Sequence, residues 1–169
     1  LFAASLYLGL ATLLWRTRWR GREVQAIPTS LNTLERILLL AALAIHGLAL
    51  RSVVFDGNTM RFSFAIALSF MMWLAIALYW IESFYARIEG LLVIGLPAAA
   101  IFALLPAVVT QHHALTNAGS AAFRLHFLVA MLAYSLFTLA ALHALLMSAM
   151  KKNLHRGRLS PLLAGLPPL

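Results

Sequence analysis

Residues 34–50 read LERILLLAALAIHGLAL, an apolar run broken deep inside by one histidine, His46. A membrane-spanning helix takes about 20 mostly apolar residues at about 1.5 Å each, and this stretch has that character. Similar runs lie at 1–15, 62–81, 90–109 and 125–149. Composition agrees: the chain is 63% hydrophobic and 11% charged, against roughly 25% charged in soluble domains. The reading is an all-α, polytopic transmembrane helix bundle, one domain over residues 1–169 with five spans and a basic inner connector at 150–169. The first run is short, opens at Leu1, and has neither a basic leader nor a small-residue cleavage site. It reads as the remainder of a longer helix rather than a signal peptide. GLPPL at 165–169 reads as a connector into something further, so the chain is taken as a fragment.

Charge sets the expected orientation. Arg16, Arg18, Arg20, Arg22 and Arg36 lie around the first connector, Arg87 follows the third run, and Lys151, Lys152, Arg156 and Arg158 occupy the tail. Only Arg51, Arg61 and Arg124 fall on the other side. The excess of positive charge belongs on the cytoplasmic side, which puts the N-terminus outside and the tail inside. Insertion and attraction to anionic lipid headgroups account for the net charge of +8, so no nucleic-acid partner is expected. With no cysteine in the chain, disulfides, thiol redox chemistry, cysteine-ligated iron–sulfur clusters and covalent c-type haem attachment are excluded.

Local signals support helices. Asn32-Thr-Leu-Glu35 has the form of a capping box opening the second run. Pro28 sits in the polar connector, where a missing N–H costs little. Trp15, Trp19, Trp80 and Tyr85 lie near the expected interfaces. Pro97 and Pro106 predict a kink in the fourth run. The outer loop 110–122, TQHHALTNAGSAA, is polar.

An ionisable residue at membrane depth marks a functional site by default. His46 lies five residues before Arg51, about 7.5 Å deep, and His126 lies two residues after Arg124, about 3 Å deep. Both imidazoles fall at the outer-leaflet level. A pair of histidines on facing helices is an ordinary way to hold a b-type haem, here with Arg51 and Arg124 at the rim for the propionates. On a helical wheel Ala130, Ala133, Phe137, Ala140 and Ala144 fall within about 40° of His126. Such a stripe leaves room for a flat macrocycle, and equally lets two membrane helices approach closely. His112 and His113, in the outer loop, are weaker candidates for haem at the surface. His143, about 25 Å deeper than His126, reads as structural.

The segment RLHFLVAMLAYSLFTLAALHALLM at 124–147, a basic connector and LPPL at 166–169 together resemble the cytochrome c assembly membrane-protein family. The likeness is greatest to its YpjD/HemX-like branch, relatives of the CcsA and CcmC proteins. The residues that carry it are His126, Ala133, Tyr134, Ser135, Pro167, Pro168 and Leu169, with His46 matching a histidine on an earlier helix. The resemblance implies a bacterial inner-membrane protein of about eight spans of bilayer length that binds, exports or presents haem, or tunes its synthesis. Its partners would be cytochrome c maturation proteins or an apocytochrome. Haem-delivering members carry a tryptophan-rich outer loop flanked by histidines, and loops 51–61 and 107–124 contain no tryptophan.

Three functional classes stay open from the residues: haem handling at His46 and His126, transport of another solute or a proton with histidine relays, and a structural or regulatory subunit without cofactor. Glu35, Glu82 and Glu89 all lie near membrane ends, which disfavours the relay. No Gly-rich phosphate loop, HExxH or G-x-S-x-G motif is present. Catalysis, if any, would be the thioether formation of a haem lyase with a partner supplying the cysteines.

Overall fold

The computed structural model describes residues 1–19, 31–56, 59–85, 90–109, 113–115 and 120–155. Five helices carry the fold: α1 (Phe2–Leu14), α2 (Thr33–Val54), α3 (Phe64–Glu82), α4 (Gly90–Val108) and α5 (Ala121–His155). A π-helical turn, Trp15–Trp19, continues α1. Segments of α2 to α5, at 33–54, 64–82, 91–108 and 121–148, are long and apolar enough to cross a membrane. α1 is 13 residues long, and with its π turn the continuous helix runs from Phe2 to Trp19.

Helix starts follow their capping chemistry. Asn32 Oδ1 accepts from the Glu35 amide at 2.8 Å, and Glu35 Oε2 accepts from the Asn32 amide at 2.8 Å. This is the reciprocal pair the sequence predicts, and it satisfies two of the donors a helix start leaves orphaned. Ser63 caps α3 through the Ile66 amide, and Ser120 caps α5 through the Phe123 amide.

Helices α1 to α4 pack in a ring, each against the next and α4 against α1, and α5 leans on α3. Lipid chains are as apolar as leucine, so close packing and interhelical hydrogen bonds hold such a bundle together. The seams accordingly bury Ala3, Ala4, Ala42, Ala75, Ala99 and Ala100, while Ile37, Leu48, Ile101, Leu125 and Phe137 face outward. Ser135 of α5 is fully buried and donates to the carbonyls of Met131 (2.7 Å) and Met71 (2.9 Å), tying α5 to α3. At the opposite end of α3, Arg36 donates to the Ser83 carbonyl at 2.7 Å and lies 4.4 Å from the centre of the Phe84 ring. Trp80 returns a bond from its indole N–H to the Arg36 carbonyl.

Several sequence expectations shift in detail. α2 runs one turn past Arg51, to Val54, and α5 begins at Ala121, so Arg124 lies within the first turn of that helix instead of marking its entry. The two loops at this end join in an antiparallel sheet of β1 (Phe55–Asp56), β2 (Thr59–Phe62) and β3 (His113–Leu115), with Met60 opposite Leu115 and Phe62 opposite His113. Pairing β2 with β3 places the α2–α3 and α4–α5 connections on one side of the bundle, as alternating crossings require. His112, Arg20, Arg22, Arg87, Arg156, Arg158 and the Pro167–Pro168–Leu169 connector lie outside the described residues.

Candidate functional site

The buried stripe of α2 comprises Glu35, Leu39, Ala42, Leu43, His46, Leu50 and Val54, recurring every three to four residues. His46 therefore points into the bundle, with 2% of its surface exposed. Its Nδ1 lies 3.3 Å from the Tyr7 hydroxyl of α1, and its Nε2 lies 3.0 Å from Ser69 Oγ of α3. The Tyr7 and His46 rings meet edge to face at 5.7 Å. An uncharged imidazole has one donor and one acceptor, and a hydroxyl can serve either. Both ring nitrogens are thus engaged, and His46 links three helices.

His126 sits elsewhere. The face that α5 turns to the bundle carries Met131 and Ser135. His126 is five residues before Met131, which places it about 140° around the helix, and its side chain is exposed. Ala133, Phe137, Ala140 and Ala144 share that exposed side. The packing therefore does not bring His46 and His126 to a common cavity. Depth along the axis was legible from the chain, but rotation about it was not. His143 is half-buried on α5. His113 lies in β3, and nothing further is described of its side chain.

The two arginines do line one cavity. Arg51 of α2 and Arg124 of α5 stand at one cavity of about 360 Å³ between α2, α3, α5 and the sheet. Ligand pockets run from about 300 to 1,000 Å³, so this one suits a small or partly inserted ligand. Its floor begins at Gly47, the residue after His46, where the Trp73 indole lies so close that an added Cβ would come within 3.1 Å of it. Trp73 is held in place by donating to the Leu43 carbonyl at 2.8 Å. Phe70 stacks obliquely on Trp73 and on Phe127, each pair with centroids 5.7 Å apart. Met60, Leu50, Val54 and Leu128 complete an apolar lining. Among the described residues of the lining, the charged groups are the guanidinium groups of Arg51 and Arg124. Such a site accepts an apolar, preferably flat, body and an anionic head.

Gly47, Met60, Phe70, Trp73 and Phe127 were not legible as a site in the sequence. Their types are ordinary core types, and only the packing of α2, α3, α5 and β2 assembles them. Tyr7 and Ser69 were likewise hidden, since nothing local pairs a residue with one 39 or 23 positions away.

The bis-histidine donor set does not fit a haem in this fold, because one imidazole is enclosed with both nitrogens bonded and the other faces out. The arginine pair and aromatic walls fit the propionates and the edge of a macrocycle. No known family model, curated protein or solved structure matches the chain.

Proposed function

We propose that this chain belongs to an integral membrane protein of the bacterial inner membrane that binds an amphipathic acid at its outer face. Haem is the member of that class to which the sequence resemblance points. The observation that carries the reading is the convergence of Arg51 and Arg124 at the mouth of one aromatic-lined cavity. Guanidinium groups pair with carboxylates in a fixed planar geometry, and haem presents two propionates on one edge of a flat apolar ring. Over the full sequence ten Lys and Arg residues, Arg16, Arg36 and Lys151 among them, are assigned to the opposite side against Arg51, Arg61 and Arg124 on this one, so the positive-inside rule supports an outward-facing pocket and an external N-terminus.

The described lining residues include no imidazole. Arg51 and Arg124 hold the acid groups, Trp73 and Phe127 cover the apolar body, and iron ligation, where haem is bound, falls to residues other than these. That arrangement suits a ligand in transit to cytochrome c maturation proteins or an apocytochrome. The closed Tyr7–His46–Ser69 cluster favours a second reading, a structural or regulatory subunit in which His46 serves packing alone.

Visible spectra of the purified full-length protein, before and after haem is supplied, separate these. The pocket reading expects bound haem that survives His46→Ala and His126→Ala and is lost in the Arg51→Ala/Arg124→Ala variant. Sharp bands abolished by either histidine substitution would restore the bis-histidine assignment. A protein that stays colourless, and binds no other amphipathic acid, would leave the structural reading.

A further inference from the structure

A second cavity, of about 280 Å³, opens between α1 and α4 at the other end of the bundle. Leu8, Ala11 and Trp15 of α1, spaced by three and four residues, form one wall together with Thr12, and Val93 and Pro97 of α4 form the other. Arg16 stands at its end. Pro97 has no N–H to give the Val93 carbonyl, so α4 itself leaves a backbone acceptor at this wall. Beyond Arg16 the chain continues Arg18, Arg20 and Arg22 with no acid before Glu23. The cavity is thus an apolar trough closed at one end by an interfacial tryptophan and a guanidinium, on the more basic side of the protein. α1 departs from regular α-helix at Trp15, where the π turn begins, and such turns gather at functional positions.

We propose that this groove is a binding site for one anionic phospholipid of the inner leaflet, its phosphate on Arg16 and an acyl chain along Leu8, Ala11 and Val93. Basic pockets between membrane helices on the cytoplasmic side are the usual seats for such headgroups, and Trp15 sits at headgroup level. A zwitterionic lipid offers the same chains but carries its own cation, so charge complementarity selects the anionic one. The site is independent of the Arg51–Arg124 pocket.

Native mass spectrometry of the full-length protein tests it, with equal phosphatidylglycerol and phosphatidylcholine of identical chains. The expected result is one retained lipid, with the anionic form preferred by about fivefold. Arg16→Ala removes the preference and Arg16→Lys keeps it. Ala11→Phe fills the trough without altering charge and lowers retention of both lipids. Equal retention of the two lipids by the wild type, or an undiminished preference in Arg16→Ala, overturns the proposal. So does displacement of the lipid by inorganic phosphate alone, which would mark a free-anion site.

Discussion

Tyr7→Phe is the smallest change that tests whether His46 is a packing group. The substitution removes one hydroxyl, keeps the ring and its edge contact with the imidazole, and leaves His46 Nδ1 unpartnered. Interhelical hydrogen bonds in membrane proteins average about 0.6 kcal/mol and reach about 1.7. Tyr7→Phe should therefore cost about 0.6 kcal/mol, and Ser69→Ala a similar amount. His46→Leu removes both bonds while filling the space with an apolar side chain of similar bulk, so about 1.2 kcal/mol is expected by the same measure. The sharper expectation concerns coupling. On a His46→Leu background the Tyr7 hydroxyl has lost its partner, so adding Tyr7→Phe should cost nothing further. Equilibrium unfolding in mixed micelles, run as a double-mutant cycle, reads these values directly. Strict additivity of Tyr7→Phe and His46→Leu would refute the reasoning, because it would mean that the 3.3 Å contact contributes no stability.

Further perturbations probe the cap and the pocket wall. Asn32→Ala opens the capping box and should destabilise α2 by about 1 kcal/mol, read in the same micelle titration, with Asn32→Asp retaining most of the stability. Gly47→Val places branched carbon against an indole that already leaves only 3.1 Å for a Cβ and is anchored to Leu43. It should cost about 1–3 kcal/mol through overpacking, shift tryptophan emission and lower ligand affinity together.

The helices were legible because each satisfies its backbone internally and shows its apolar run without reference to the rest of the chain. The capping box of Asn32 and Glu35 was legible for the same reason, since both partners lie within one turn. The sheet was not. Its strands are two to four residues long and pair Phe62 with His113 across two helices, and no local period encodes such a contact. Of the candidate site, the convergence of Arg51 and Arg124 followed from their shared level near the helix ends. The histidine pair did not assemble, because residue count fixes height along a helix whereas packing decides which side turns inward. In α2 the inward side includes His46, and in α5 it includes Met131 and Ser135 but leaves His126 outside.

The central claim is that Arg51 and Arg124 together hold the acid groups of an amphipathic ligand. Haem titration into the wild-type and the Arg51→Ala/Arg124→Ala proteins, followed by quenching of tryptophan emission, tests it most directly. Two exposed ion pairs of up to about 1 kcal/mol each predict a loss of affinity of up to about thirtyfold, and a smaller loss as salt is added. Equal affinity in the two proteins, with the same salt dependence, would contradict the account.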